Sequence, residues 1–243
     1  MDLPAIRHTL TNNGVNAAER QLALVGDNHG DEQLAILVQE MTPAEVSQFL
    51  SESDYTKPSV VAHHVTPDQF IGAIHRIGSR WGTLRGADED TLGTVRSQLS
   101  DFILSALLHG EDGPREELFA AILEDALAQD ALATIAIGEP GCPDFLLEQD
   151  WAVTQPGTWQ EAYAFLHEKF PVPFGHLRQE VIALFKDRSE DEDEDKPDED
   201  KWTVPVKARK FVRRTLQSLV SRAEEVSGVE PTVKPSGGIF DNY

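Results

Sequence analysis

A single cysteine, Cys142, stands in 243 residues, so no disulfide can close within the chain and no Cys-x-x-Cys zinc pair can form. It sits in Gly138-Glu139-Pro140-Gly141-Cys142-Pro143, a turn-forming string with no base beside it, and a catalytic role is not expected. Long apolar runs are also missing. None approaches the length of a bilayer-crossing helix, and the opening residues lack the basic-then-apolar pattern of a secretory signal; the expected location is cytoplasmic. Basic residues are few, 21 Lys and Arg against 42 Asp and Glu, for a net charge of -21. That balance argues against nucleic-acid binding by most of the chain, because affinity for phosphates rests on Lys and Arg. It suits solubility, and is compatible with binding a basic protein surface or imitating DNA. Phosphate loops and nucleophile elbows are absent as well, and no segment alternates polar and apolar residues with a period of two.

What the chain does have is one abrupt charge reversal. Ser189-Glu190-Asp191-Glu192-Asp193-Glu194-Asp195-Lys196-Pro197-Asp198-Glu199-Asp200 is nearly all acid. So dense a block of like charge repels itself and has no apolar surface to bury, which predicts a disordered acidic linker over 187–201. Beyond it, residues 201–243 hold eight Lys and Arg against four acids, a net of +4, leaving 13 basic and 38 acidic side chains, or -25, for the rest. The expected organisation is a helical body over 1–186, the linker, a basic amphipathic helix over 202–228 and a flexible tail with a hydrophobic tip over 229–243.

The body reads as helices throughout. Leu3 to Leu10 and Ala17 to Val25 are short helices broken at Asn12-Asn13-Gly14, followed by a glycine-flanked loop, Gly26-Asp27-Asn28-His29-Gly30. Asp31 opens a helix whose Leu34, Leu37, Val38 and Met41 keep the spacing of an amphipathic stripe. After a polar stretch from Arg76 to Asp88, a helix from Thr91 to His109 presents Val95, Leu99, Phe102, Ile103, Ala106 and Leu107. Another is expected from Pro114 to about Ile137, its second half from Ala131 so apolar that it is either buried or a short strand. Thr158-Trp159-Gln160-Glu161 reads as a capping box, and a last body helix carries Phe174, Leu177, Val181, Leu184 and Phe185. The fold class is all-α, a multi-helix bundle or an irregular array resembling helical repeats.

Two helix starts resemble each other, Met41-Thr42-Pro43-Ala44-Glu45 and Val65-Thr66-Pro67-Asp68-Gln69. In each, Thr is the N-cap, Pro takes the first helical position and Glu or Gln completes a capping box. Residues 31–78 around them resemble the helical-repeat N-terminal domain of magnesium transporters and the related flagellar motor-switch helices. The motif is generic and no function is carried across from it.

One string resembles a catalytic motif. Leu24-Val25-Gly26-Asp27-Asn28-His29-Gly30 is similar to the first metal-binding motif of calcineurin-like metallophosphoesterases, which would make Asp27 and His29 metal ligands activating a water. The resemblance covers seven residues; the family's later motifs, Gly-Asp with a further acid, Gly-Asn-His and Gly-His-x-His, are absent. A helix-loop-helix connection capped by Asp31 explains the same residues. His63, His64 and His75 make a poor metal cluster, since adjacent histidines on a helix project about 100° apart. Asp88-Glu89-Asp90 fits the positive end of the helix that follows it. No catalytic residue, metal or cofactor is therefore expected, and a metal-dependent phosphoesterase is the third reading of the function.

The first reading rests on the C-terminal helix, expected from Pro205 to about Val226 and ended by Gly228. Val212, Leu216, Leu219, Ala223 and Val226 alternate steps of four and three, a seam suited to docking on another helix. Lys207, Arg209, Lys210, Arg213 and Arg214 crowd its first half, the end at which the helix dipole disfavours cations, so something outside the helix should compensate. The chain is thus expected to be a non-catalytic protein–protein interaction module, an adaptor or regulatory subunit with a groove between helices. The candidate partner-binding residues are Lys207, Arg209, Lys210, Arg213, Arg214, Leu216 and Leu219 on the helix and Ile239, Phe240 and Tyr243 in the tip. The helix could also lie on the protein's own acidic body. A nucleic-acid-associated regulator or acidic DNA mimic is the alternative; peripheral membrane contact is not expected, because the net field repels polyanions.

Overall fold

The computed structural model describes residues 2–52, 59–108, 112–139, 141–147, 157–185 and 204–228, with only the backbone of Asp112 and Pro143. Among these residues there are thirteen α-helices, one 3-10 turn and no strand. The first three helices are α1 (Leu3–Asn13), α2 (Val15–His29) and α3 (Asp31–Gln39). They divide at Gly14 and Gly30, whose φ angles of 81° and 86° lie where other residues are strained. The expected loop at Gly26–Gly30 is not there. It forms the last turn of α2, with the Gly30 amide bonded to the Gly26 carbonyl at 2.9 Å. Gly26 is a packing glycine rather than a turn glycine, since a β-carbon on it would lie 3.2 Å from the Leu34 side chain.

Both repeated capping boxes form. The Thr42 amide donates to Glu45 Oε2 at 2.8 Å and the Glu45 amide to Thr42 Oγ1 at 3.3 Å, opening α4 (Pro43–Glu52). The Thr66 and Gln69 pair repeats this at α6 (Pro67–Ile77), which follows the short α5 (Val60–His64). Gln69 does more than cap. Its buried Nε2 also donates to the carbonyls of Val38 and Met41, at 2.8 and 2.7 Å, so one side chain ties the start of α6 to the end of α3. Helix α4 then lies along α6, where Gly72 allows Pro43 so close that a β-carbon would meet it at 2.8 Å.

The 3-10 turn Gly78–Arg80 leads to α7 (Glu89–Leu107), capped by Asp88, whose Oδ1 accepts from the Thr91 amide at 2.8 Å. The single helix expected from Pro114 to Ile137 is instead two, α8 (Asp112–Glu124) and α9 (Ala126–Ile137). Asp125 makes the break: it is extended, caps α9 by accepting from the Ala128 amide at 2.8 Å, and meets His75 Nε2 at 3.1 Å. Residues 131–137 are all buried in α9, so the apolar stretch is a central helix and not a strand. Around it stand α10 (Cys142–Leu147), α11 (Trp159–Lys169) and α12 (Pro171–Phe185). Tyr163 of α11, fully buried, donates to the Leu132 carbonyl at 3.1 Å. Thr158 occupies the N-cap of α11 without a side-chain cap bond; Glu161 instead accepts from the Gly157 amide at 2.9 Å.

Candidate interaction face on the C-terminal helix

Helix α13 (Val206–Gly228) lies in the body, chiefly against α6, the 3-10 turn and α9, with α12 and α7 at its side. Its seam explains this. Ala208, Val212, Thr215, Leu216, Leu219 and Ala223 are buried, and they recur every three or four residues along one side. The crossing is tight. Gly78 meets the α13 backbone so closely that a β-carbon would stand 2.3 Å from the Leu219 carbonyl oxygen. Leu216 and Leu219 are 0% exposed, so lifting the helix away would return both to water at about 2 kcal/mol each. These two predicted site residues therefore sit inside the chain's own core.

The five cations take three positions. Arg213 turns to the start of α7, donating through Nη1 to the Ala87 carbonyl at 2.8 Å and through Nη2 to Glu89 Oε1 at 3.1 Å. It thus offsets the acidic first turn that opens α7 and is half-buried there. Lys207, Lys210 and Arg214 are spaced i, i+3 and i+7, so they share the side opposite the buried seam, and all three are exposed. Arg214 also lies over the Phe211 ring, its guanidinium carbon 5.2 Å from the centroid. Its field reaches Asp130 on α9. Burial pushes the Asp130 carboxyl up, Arg214 opposes this and Glu180 reinforces it, with a net upward shift.

Arg209 stands on the flank, at the mouth of a cleft of about 320 Å³ between α7 and the start of α13. Leu92, Val204 and Val212 form its apolar wall, and Arg96 and Glu89, the latter paired with Arg213, also line it. Arg96 is paired with Glu139, 2.8 Å from Nη1, and its guanidinium crosses directly over Gly138, where a β-carbon would displace it. Ile239, Phe240 and Tyr243 lie outside the described residues, as does the acidic run 189–200.

The other sequence candidates are dispersed. Asp27 and His29 are exposed on the last turn of α2; among the described residues no cluster of three or more His, Cys, Asp or Glu is placed to hold a metal ion. The rings of His63 and His64 are 6.3 Å apart, and His75 is held by Asp125. Asp88 is the α7 cap, and the Thr91 side chain and amide hold its carboxyl below the usual range. Cys142 is wholly buried at the start of α10, and burial, then nearby Glu139, pushes its thiol up to about 12. No helix among the described residues is long and apolar enough to cross a membrane.

Sequence reasoning missed two arginines, Arg76 and Arg80, which line a cleft of about 530 Å³. Their only signal is spacing: Gly72, Arg76 and Arg80 repeat at four residues and so share one side of α6 and its 3-10 extension.

No protein-family model, curated protein or solved structure matches the chain. Function has to be argued from the site itself.

Proposed function

We propose that the chain is a non-catalytic protein–protein interaction module that presents the basic side of α13 and the adjoining cleft to an acidic segment of a partner protein. One observation carries this reading. The apolar side of α13 is committed to the body, so Lys207, Lys210 and Arg214 stand outward in a fixed row, with Arg209 at the apolar cleft beside them. Such a surface fits a peptide of carboxylates around one apolar anchor, the side chain entering against Leu92, Val204 and Val212 while the acids meet the row. Holding the helix in advance lowers the ordering cost that a free basic segment would meet on binding.

The acidic run 189–200 is joined directly to this surface in sequence. A tethered polyanion is present at an effective concentration of about millimolar, so it competes with any acidic partner and sets a threshold that only a better-matched segment passes. The same field, -25 over the remainder of the chain, favours an acidic peptide bearing an anchor over a nucleic acid bound through phosphates alone.

The test is fluorescence anisotropy with a labelled peptide of alternating Glu and Leu, using the full chain. Binding should fall about tenfold or more in the Lys207→Glu, Lys210→Glu, Arg214→Glu triple variant, which changes exposed side chains only, and rise when residues 189–200 are deleted. Equal binding by the triple variant overturns the reading. A single-stranded oligonucleotide that binds more tightly than the peptide, with a steep loss of affinity as salt rises, would favour the nucleic-acid alternative instead.

A further inference from the structure

A second surface lies at the C-terminal end of α13 and shares no residue with the basic row. Between the start of α4, the end of α6 and the last turn of α13 lies a cleft of about 530 Å³, within the range of small-molecule sites. Its lining includes Arg76, Arg80, Ser47, Gln48, Thr42 and Ser227, and among the described residues that line it there is no Asp or Glu. That is a departure from the surroundings, since acids outnumber bases two to one in this chain.

The packing accounts for the shape. Gly72 lets Pro43 seat directly on α6, fixing the start of α4 against it. Arg76 and Arg80, one and two turns farther on, line the cleft. Arg76 is half-buried and anchored at one end, its Nη1 donating to the Gly72 carbonyl at 3.0 Å. Ser79 steadies the same turn by donating to the Arg76 carbonyl at 2.8 Å. Arg80 is loosely paired with Glu52, at 3.4 Å, with both side chains well exposed. The other acid on α4, Glu45, is engaged by Arg7 and Thr42 and does not line the cleft. The close contact of Gly78 with Leu219 fixes where α13 ends, which places Val226 and Ser227 as the third wall.

We propose that this cleft binds the phosphoryl group of a small phosphorylated molecule. Two guanidinium forks match a tetrahedral oxyanion with paired, charge-assisted hydrogen bonds, and the Ser47, Ser227 and Gln48 side chains supply neutral donors for the remaining oxygens and for a polar substituent. The Ala44 amide, in the first turn of α4 and without an intrahelical acceptor, adds a donor of the same sense. The ligand is small because the cleft, at about 530 Å³, has the size of a small-molecule site, and the net field of the protein repels long polyanions.

The experiment is isothermal titration of the full chain with inorganic phosphate and with glucose 6-phosphate at constant ionic strength, with sodium acetate as a control. Saturable binding at one site is expected, weakened about tenfold in Arg76→Gln and in Arg80→Gln. Glu52→Gln should act in the opposite direction, tightening binding severalfold by freeing Arg80, a change that a merely structural role would not produce. Glucose 6-phosphate binding more tightly than phosphate identifies a monoester as the ligand, and equal affinities identify the phosphoryl group alone; both support the site. Absence of saturable binding up to about 20 mM overturns it, as does unchanged affinity in both arginine variants. Arg80 is exposed, so Arg80→Gln keeps the test open should Arg76→Gln fail to fold.

Discussion

Gly78 and Leu219 touch backbone to backbone, 141 positions apart in sequence, with space for no β-carbon between them: one would stand 2.3 Å from the Leu219 carbonyl oxygen. Backbone cannot rotate aside as a side chain can, so Gly78→Ala has to push α13 off its seat. The expected cost is about 1–3 kcal/mol, the range for overpacked interiors, read as a lower urea midpoint. Gly93→Ala on α7 is the matched control. Nothing stands within 4 Å of its β-carbon position, so the better helix former should leave stability unchanged or raise it by up to about 1 kcal/mol. A Gly78→Ala variant as stable as the parent would mean that α13 is not held where it is described.

Gln69 holds two helix ends at once. Gln69→Ala removes the capping acceptor for Thr66 and leaves the Val38 and Met41 carbonyls without their side-chain donor, at a cost of about 2 kcal/mol or more. Gln69→Glu separates the two roles. A carboxylate still accepts from the Thr66 amide but cannot donate to the buried carbonyls, so it should be no better tolerated than alanine despite its shape. If Gln69→Glu is neutral in chemical denaturation, the capping box is the whole contribution and the bridge to α3 is dispensable.

Both capping boxes that involve a Thr-Pro start were legible because every part of them lies within four residues. The break at Asp125 was not, because Leu118, Ile122, Leu123 and Ala126 carry an apolar pattern across it; what breaks the helix is the Asp125 carboxylate, which accepts from the Ala128 amide and has a partner, His75, on another helix. Gly26 misled for a related reason, since glycine serves close packing as readily as turns. The seam of α13 revealed that the helix docks, but not that Leu216 and Leu219 dock inside their own chain, because the surface that receives them is assembled from α6, the 3-10 turn and α9. Arg76 and Arg80 carried the least signal of all: their cleft needs walls from residues 42–48 and 226–227, which no local pattern brings together.

Cys142 reports on global opening. It is wholly buried, and burial pushes its thiol up to about 12, so at mildly alkaline pH there is neither access nor thiolate. Modification by a thiol reagent should therefore proceed at the rate at which the structure opens, and accelerate sharply across the urea transition. Stoichiometric labelling of the native protein within minutes would show that α10 opens independently of the rest.

Glu45 sets the expected acid sensitivity of the α1–α4 contact. Its Oε1 accepts from Arg7 Nε at 2.5 Å, while Oε2 accepts from Arg7 Nη2 at 3.0 Å and from the Thr42 amide at 2.8 Å. Burial pushes this carboxyl up, but the Arg7 and Thr42 bonds outweigh it and the net value lies below the ordinary 4.5. A carboxylate whose folded-state pKa is depressed contributes its stability in full above the unfolded value, and loses it as the pH falls through the folded one. Arg7 stays charged throughout, so the change belongs to Glu45 alone. The wild type should exceed Glu45→Gln by about 1 kcal/mol near neutrality, a modest figure because the Arg7 side chain is 43% exposed. That margin should hold steady down to the ordinary glutamate value and close below it, where a protonated Glu45 becomes nearly equivalent to glutamine. Paired urea titrations at several pH values measure it directly. A margin that persists unchanged in strong acid would assign the difference to the shape of the capping box rather than to the ion pair with Arg7.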